Sequence, residues 1–435
     1  MPKVPIKKEP NGQAKEIFLK YLPYAIIAIA LLWADLYIWH SSSNAWSFGI
    51  NYNSYVLQDL AWLSGHLYLP QNYSWLEIAT YNNHFYISFP PIPSIILLPF
   101  VAIFRDNWPG LSNFLTLVVA VIGSIYAYKI GIRVGISKTL STLLTLILTI
   151  GSGFLFIMNG SVWFIAQIFA FSFLLISIYL AITPNIKHIK WSLLFYALMV
   201  GCRPLCAIWI ILIFFLVCKY KEFDWKKWTD WKKNLYQLIP IVIVGIFLAT
   251  LNYVRFGNPI EFGHNYLPEF DPSSPSYTGV QFSFGYLKSN LISLFKLPTF
   301  YNGRWHWDTF NGIFFILPNI IYISFIVSII GAPIHNWWQN SHSKDGTKHK
   351  IDSKFIILVI VVVAILHIIF TCVHKTMGGW HWGNRYIIDT TPAVFLATCY
   401  LMKDKKWLAY VMIPILIAGL IFNMWGSIGT YNYTM

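Results

Sequence analysis

Long apolar segments recur from residue 17 to residue 427 and predict a series of membrane-spanning helices. A helix needs about 20 apolar residues to cross roughly 30 Å of hydrocarbon. The segments that reach or approach this length are 17–39, 111–132, 139–158, 162–182, 191–202, 205–218, 235–255, 311–333, 354–373, 386–402 and 407–427. We therefore predict an all-α polytopic bundle of about 11 spans. The whole chain, 1–435, would form a single integral-membrane domain.

Prolines decide how two further apolar segments are interpreted. Residues 91–104, "PIPSIILLPFVAIF", are short and proline-rich, which is typical of an interfacial or re-entrant piece. The 191–218 stretch has Arg203-Pro204 in its middle and basic clusters on both flanks. Two short helices that turn at Arg203-Pro204 place both clusters on one side of the membrane, whereas one long helix would not.

Composition and charge support the membrane assignment and orient the chain. The sequence is 57% hydrophobic and only 11% charged, whereas soluble chains carry about 25% charged residues. The net charge is +14. A cytoplasmic N-terminus places most Lys and Arg residues in cytoplasmic loops, so this orientation obeys the positive-inside rule. The non-cytoplasmic ones are Arg105, Arg203, Arg255, Lys288, Lys296, Arg304, Lys375 and Arg385. The Trp/Lys-rich segment 220–234 is predicted to lie on the anionic inner leaflet rather than to bind nucleic acid.

The cysteines and the first apolar run exclude two other assignments. The five cysteines all lie in or beside apolar segments, and their spacing indicates neither a disulfide framework nor a zinc site. The first apolar run lacks a small-residue cleavage site, so it is interpreted as a retained helix. We therefore expect a multi-pass protein of the plasma membrane.

Two long external segments, 40–110 and 256–310, hold most of the non-cytoplasmic acids. Within the first, residues 54–66 predict a surface helix that stops near Gly65. Asp59, Trp62 and His66 would share one face of that helix, and a merely solvated polar face is the alternative.

The connection 376–389, "TMGGWHWGNRYIID", holds more chemistry than a simple turn requires. Its glycines allow a close backbone approach, and Arg385 suits an anionic headgroup because a guanidinium binds phosphate bidentately. The alternative is a structural loop in which Arg385 pairs with Asp389 and the tryptophans sit at the membrane interface. At 252–271, Arg255 either snorkels to the interface or has a designed role with Glu261 close enough to pair.

Four stretches together resemble a known family. They are "GHLYLP…LEIATYNNHFYISFPPIPSIILLPFVAIF" (65–104), "GCRPL" (201–205), "NYVRFGNPIEFGHNYL" (252–267) and "GGWHWGNRYIIDTTP" (378–392). Their order along the chain resembles that of bacterial integral-membrane glycosyltransferases of the GT-C class, relatives of dolichyl-phosphate-mannose protein mannosyltransferases and aminoarabinose transferases. The resemblance implies interfacial helices in the first external loop, a polyprenyl-phosphate-linked sugar donor, and catalysis on the non-cytoplasmic side with inversion.

The resemblance also implies roles for individual residues. The class usually carries an Asp soon after the first span, but here no acid follows until Asp59, and Asp35 comes earlier. We therefore expect Asp59 as general base ahead of Glu77, with Asp35 third. Cations for the donor phosphate would be Arg385, His381, Arg255, Arg203 and Arg304. The sugar or acceptor would be lined by Trp62, His66, Tyr81, His84, Tyr86, Glu261, Trp380 and Trp382.

The sequence leaves the metal, the acceptor and a rival function open. A divalent cation, Mg²⁺ or Mn²⁺, on Asp59 or Glu77 is compatible with these residues, but no ligand spacing demands one. The acceptor would be a glycan, a lipid or a protein, and membrane lipids are the other expected partners. The alternatives are a polymerase or ligase of lipid-linked glycans, and a flippase without catalysis, for which charged residues along a pathway and an internal repeat would be expected.

Overall fold

The structure is a computed structural model that describes residues 10–42, 52–159, 162–221, 223–331 and 352–433. The predicted cytoplasmic basic residues Lys3–Lys8 and most of segment 336–353 lie outside these ranges. So do residues 43–51 of the first external segment, part of the turn at 159–161 and the last two residues.

The described residues are mostly helical, as predicted. The helices are α1 (Pro10–Ser41), α2 (Ser54–Leu63), α3 (Ile92–Phe104), α4 (Leu111–Val134), α5 (Lys138–Leu148), α6 (Phe154–Ile157), α7 (Val162–Ile182), α8 (His188–Val200), α9 (Ile210–Tyr220), α10 (Trp228–Asn234), α11 (Ile239–Phe256), α12 (Leu287–Ser293), α13 (Ile321–Gly331), α14 (Ser353–Cys372), α15 (Thr391–Met402) and α16 (Leu408–Tyr433). Short 3₁₀ turns include Pro204–Trp209, before α9, and Arg385–Thr390, before α15.

Six helices in the described part are long and apolar enough to cross a membrane. They are Glu16–Ser41, Leu111–Val134, Trp163–Ile182, Trp228–Phe256, Ser353–Cys372 and Leu408–Asn432. The other predicted spans, 139–158, 191–202, 205–218, 311–333 and 386–402, correspond to shorter helices or to a 3₁₀ turn that continues into a helix. The count of about 11 spans therefore stays a prediction, because a helix of 13 residues covers only about 20 Å.

Helix α7 lies at the centre of the bundle, and 89% of its apolar membrane-spanning stretch is buried inside the protein. It packs against α4, α8 and α9. The contact with α4 is so close that a Cβ on Gly123 would lie 2.4 Å from Ser172 Oγ. Small residues at such crossings let the backbones approach, which is how apolar helices gain packing energy when lipid competes for the same surfaces.

The break at Arg203-Pro204 forms a helical hairpin, as the sequence predicts. Thr183 Oγ1 lies 2.7 Å from His188 Nδ1 at the start of α8. The same hydroxyl accepts a hydrogen bond from Lys221 Nζ, which follows the end of α9, at 3.4 Å. The two ends of the 188–221 segment are therefore neighbours, and the Arg203 turn lies at the opposite pole of the bundle.

The external segments contain two β-hairpins that the sequence analysis did not predict. Strands β1 (Ile78–Tyr81) and β2 (His84–Ile87) pair antiparallel, as do β3 (Thr299–Tyr301) and β4 (Arg304–His306). Both turns are two residues long with positive φ, Asn82-Asn83 and Asn302-Gly303. Such turns match the twist of paired strands, and the Asn-Gly dipeptide is a sequence signal for the second hairpin.

Helix α2 confirms the predicted 54–66 element, and its surroundings differ from the expectation. Asn53 caps its N-terminus by accepting from Val56 N at 3.3 Å, and Gly65 follows its end with φ +82°. Helix α3 covers one end of the predicted polar face, because Ser94 interacts with Asp59 and accepts from Gln58 at 2.9 Å. Trp62 is half-buried and His66 is exposed, so the other end of this face is open to solvent.

Candidate active site

Arg203 and Asp389 form a buried ion pair at the pole where the helical hairpin turns. Arg203 Nε and Nη2 both lie 2.8 Å from Asp389 Oδ2. Gln167 of α7 donates to Asp389 Oδ1 at 3.0 Å. The pair joins the hairpin turn to the 3₁₀ turn Arg385–Thr390 and neutralises the guanidinium. Arg203, one of the predicted phosphate ligands, is thus already occupied by a protein carboxylate.

Arg385 lies beside this pair, and no carboxylate of the described residues lies within ion-pairing distance of its guanidinium. It is 7% exposed, and its Nη1 donates to Trp163 O at 2.8 Å. Its Nε has no hydrogen-bond partner among the described residues. The predicted alternative, a pair between Arg385 and Asp389, is not what the structure shows, because Asp389 is taken by Arg203. Arg385 is therefore a cation with unused hydrogen-bonding capacity beside the Arg203–Asp389 pair.

Packing holds the Arg385 side chain in place. Its guanidinium lies 5.2 Å from the centre of the Tyr386 ring and 5.3 Å from the centre of the Phe164 ring. The guanidinium of Arg203 lies 4.6 Å from the centre of the same Tyr386 ring. Gly378 has φ +127°, and a Cβ there would lie 2.8 Å from Arg385 Cγ and Nε. Glycine is required at this position because a Cβ would collide with the arginine, while the predicted approach of a ligand to the loop glycines stays a prediction.

Glu77 faces Arg385 from the first external segment, immediately before strand β1. It is exposed to solvent but surrounded by protein, as in an open cleft. This environment raises the pKa of Glu77 by desolvation, and the field of Arg385 opposes that effect. Glu269, from the second external segment, raises the pKa further, while a hydrogen bond from Trp163 lowers it. Glu77 is therefore a solvent-accessible carboxylate that shares a cleft with an arginine.

Asp59 was predicted to be the general base, but its carboxylate is buried inside the protein. It is 0% exposed, and neither carboxylate oxygen has a hydrogen bond of ordinary geometry among the described residues. Burial raises the pKa of Asp59 to about 9, against a smaller opposing effect of Ser94. A carboxyl that is protonated at neutral pH neither accepts a substrate proton nor binds Mg²⁺ or Mn²⁺, which prefer ionised oxygen ligands.

The Asp59→Asn variant is expected to change the pH dependence of stability. Because the pKa of Asp59 is about 9 when folded and about 3.9 when unfolded, folding retains a proton between these values. Its contribution is therefore complete below the unfolded pKa and is lost as pH rises towards the folded pKa, with a slope of up to about 1.4 kcal/mol per pH unit. Asp59→Asn removes this slope, so its melting temperature should fall less than that of the wild type between pH 6 and 9. The exposed acid variant Asp106→Asn is the control, and an unchanged slope in Asp59→Asn would contradict the assignment.

The third candidate carboxylate, Asp35, is buried on α1. It is 1% exposed, its Oδ2 has no hydrogen-bond partner among the described residues, and it lies near Tyr431 of α16. It therefore belongs to the contact between the first and last helices. Of the three predicted acids, only Glu77 is both exposed and close to Arg385.

The remaining predicted phosphate ligands lie in three different environments. His381 is fully buried, its Nδ1 donates to Gly379 O, and burial lowers its pKa to about 3, so it is neutral. Arg255 is 3% exposed and donates to Ile87 O in the first β-hairpin instead of pairing with Glu261. Arg304 is exposed on strand β4. Arg255 therefore ties α11 to the hairpin.

The two tryptophans of the connecting loop are interior residues instead of interfacial ones. Trp382 is fully buried and donates to Asn423 Oδ1 at 3.0 Å. A Cβ on Gly426 would overlap its indole. Trp380 is half-buried against Phe156, Phe164 and Tyr431. Both tryptophans anchor the loop in the protein interior. They do not occupy the predicted positions at the membrane interface.

The other predicted lining residues form an aromatic layer around the first hairpin. Tyr68 stacks near His84 at 4.1 Å and near His66 at 5.1 Å. Tyr81 lies 4.6 Å from Tyr266, a residue of the second external segment. Tyr86 is 8% exposed and Trp62 is partly buried. Glu261 instead accepts from Gly263 N and Asn265 Nδ2, both at 2.6 Å, so it stabilises a local turn.

Sequence reasoning missed several residues of this site: Trp163, Gln167, Glu269 and Tyr386. Gln167 had a usable signal, since it is a lone polar residue within the apolar run 162–182 and polar groups at membrane depth are costly. Glu269 and Trp163 had none, because only folding brings them to Glu77.

Comparison with known proteins finds no matching family and no matching curated sequence. Similar solved structures include the apo oligosaccharyltransferase of Archaeoglobus fulgidus, 13% identical with TM-score 0.48, covering 94% of this chain and 56% of that one. Another is the archaeal oligosaccharyltransferase AglB from Archaeoglobus fulgidus, in complex with an inhibitory peptide and a dolichol-phosphate, which is 12% identical with TM-score 0.46, covering 94% of this chain and 56% of that one. The chain spans little more than half the length of these proteins.

Proposed function

We propose that this chain is a membrane glycosyltransferase that moves a sugar from a polyprenyl-phosphate-linked donor to an acceptor hydroxyl on the non-cytoplasmic side. The observation that carries the proposal is the pairing of one exposed carboxylate, Glu77, with one incompletely hydrogen-bonded arginine, Arg385, in the same cleft. Sugar transfer from a lipid phosphate needs these two groups: a base for the hydroxyl and a cation for the leaving phosphate.

Arg385 is proposed to bind the donor phosphate. Its Nη1 is held by Trp163 O, while its Nε has no partner among the described residues. The neighbouring Arg203 keeps its own charge compensated by Asp389 and shares the Tyr386 ring. A phosphate that enters beside Arg385 therefore meets a preorganised guanidinium in a poorly hydrated site, where its field is stronger than in water.

Glu77 is proposed to act as the general base. Its raised pKa makes the ionised carboxylate a better proton acceptor than an ordinary surface glutamate. The acceptor oxygen attacks the anomeric carbon, its proton passes to Glu77, and the bond between that carbon and the phosphate oxygen breaks. Attack opposite the leaving polyprenyl phosphate inverts the anomeric centre. Arg385 stabilises the charge that develops on the departing phosphate.

The proposed orientation follows from the two poles of the bundle. Lys221 and His188 lie at one pole, and the arginine cluster with both external segments lies at the other. With the N-terminus in the cytoplasm, the lysine-rich pole faces inward and the cleft faces outward. The acceptor, whether glycan, lipid or protein, would reach Glu77 from outside the plasma membrane.

A donor-turnover assay separates the proposed transferase from the alternatives. Purified protein in detergent, given a labelled polyprenyl-phosphate sugar and a mixture of cell-envelope acceptors, should release free polyprenyl phosphate. A flippase reconstituted in vesicles would move the donor across the bilayer without breaking it. A polymerase or ligase would release carrier phosphate only while joining lipid-linked glycans to each other. Movement without any cleavage would contradict the proposed function.

A further inference from the structure

Cys206, His367 and Asp389 converge directly below the Arg203 turn. The Cys206 sulfur, an imidazole nitrogen of His367 and a carboxylate oxygen of Asp389 all lie within 4.8 Å of one another, and all three residues are buried. Each residue comes from a different element: the 3₁₀ turn Pro204–Trp209, helix α14 and the 3₁₀ turn Arg385–Thr390. The spacing of the cysteines along the sequence indicated no zinc site, because Cys206 lies 161 residues before His367 and 183 residues before Asp389.

His367 lacks the partners that a buried imidazole ordinarily has. It is 1% exposed, and neither ring nitrogen has a hydrogen bond among the described residues. Its Nε2 lies 4.0 Å from Asp389 Oδ2, too far for a hydrogen bond, while Trp209 stacks on its face at 5.9 Å. A buried polar group without a partner is costly, so the position calls for a ligand between the imidazole and the carboxylate.

We propose that Cys206, His367 and Asp389 bind a zinc ion that fastens these three elements together. Thiolate, imidazole and carboxylate are the ligands that Zn²⁺ accepts in one site, whereas Mg²⁺ and Mn²⁺ prefer oxygen ligands. The thiolate and the carboxylate supply two negative charges against the three positive charges of the zinc ion and Arg203, which shares Asp389. The thiol proton of Cys206 is released when the ion binds.

Groups around the proposed ligands match what a bound zinc ion requires. A ligating carboxylate is usually hydrogen-bonded in turn, and Asp389 accepts from Arg203 at 2.8 Å and from Gln167 at 3.0 Å. Oδ2 takes both contacts from Arg203, whereas Oδ1 accepts only from Gln167, so the remaining lone pair of Oδ1 is the one available to the metal. The ion would lie next to the Arg203–Asp389 pair. Its role is to fix the position of the 3₁₀ turn that carries Arg385 and Tyr386.

Metal binding by the wild-type chain tests this proposal independently of sugar transfer. Chelator-treated full-length protein in detergent, titrated with Zn²⁺ alone, should take up an equimolar amount and melt at a higher temperature. With Co²⁺ it should show a thiolate-to-metal charge-transfer absorption, which requires a cysteine ligand. Absence of equimolar uptake, or uptake of Co²⁺ without that absorption, would overturn the proposal, even if donor cleavage were normal.

Variants assign the ligands. Cys206→Ser and His367→Gln should each lose the charge-transfer band and the zinc-induced rise in melting temperature. Cys399→Ser and His40→Gln, a buried cysteine and an exposed histidine outside the cluster, should keep both. Gln167→Ala, which removes hydrogen bonds to Asp389 Oδ1 and to the Arg385 carbonyl, should weaken zinc binding about 10–100-fold. Equal binding in Cys206→Ser and Cys399→Ser would mean that the metal sits elsewhere.

Discussion

Replacing Glu77 with glutamine is expected to lower the turnover number for sugar transfer about 10²–10⁴-fold. Glutamine has the same size as glutamate and can still accept the hydrogen bond from Trp163, but it cannot take the proton of the acceptor hydroxyl. Because Glu77 is exposed, folding and donor binding should change little. Steady-state rates with labelled donor, measured beside the donor dissociation constant and the melting temperature, separate loss of chemistry from loss of structure.

Asp59→Asn is the matched control for Glu77→Gln. Asp59 carries its proton at neutral pH, so asparagine replaces a neutral carboxyl with a neutral amide of the same shape. Its turnover should stay near that of the wild type. The wild-type rate should also fall as pH decreases through the raised pKa of Glu77, from a higher pH than an ordinary glutamate would give. A large loss in Asp59→Asn together with normal turnover in Glu77→Gln would return the role of base to Asp59.

Replacing Arg385 with alanine is expected to reduce donor turnover about 10²–10³-fold, the loss seen when one preorganised charge-stabilising donor is removed. Arg385→Lys should also lose most of the activity. Lysine keeps the charge, but a compact ammonium cannot reproduce the bond to Trp163 O and bind phosphate oxygens in the same plane. Removal of the Arg385 charge should also raise the pKa of Glu77 further, since that charge now lowers it. The acid limb of the pH–rate profile should therefore move to higher pH in Arg385→Ala.

Arg203→Ala provides the contrast for the Arg385 variants. It leaves Asp389 buried and unpaired, and breaking a buried pair costs roughly 3–5 kcal/mol of stability. Arg203→Ala should therefore be unstable, whereas Arg385→Lys should retain yield and melting temperature while it loses donor use. If Arg385→Lys bound and turned over donor normally and lost only stability, the loop 376–389 would be structural and the proposed phosphate site would be wrong.

The long apolar helices could be predicted from the sequence because their signal is local. A run of about 20 apolar residues indicates a helix in lipid whatever surrounds it, and four of the six long helices begin and end within two residues of the predicted limits. The other two, Trp228–Phe256 and Leu408–Asn432, extend beyond the predicted 235–255 and 407–427. The turn at Arg203-Pro204 was predictable for the same reason, since proline acts on its own backbone. The short strands were missed in a chain dominated by helix, although "YNGRW" (301–305) carries a hairpin turn signal.

The residue types of the candidate site could also be recognised from the sequence, as Arg385, Glu77 and the loop glycines show. Their roles could not, because charge state and accessibility depend on neighbours that are distant in the chain. Asp59 looked like the accessible acid until α3 was found to cover it, and Arg203 looked like a free cation until Asp389, 186 residues away, was found to neutralise it. A side chain's pKa and its remaining hydrogen-bonding capacity are set by desolvation and by partners. The sequence therefore determined which groups were available, and only tertiary contacts decided which of them remain charged and open to a ligand.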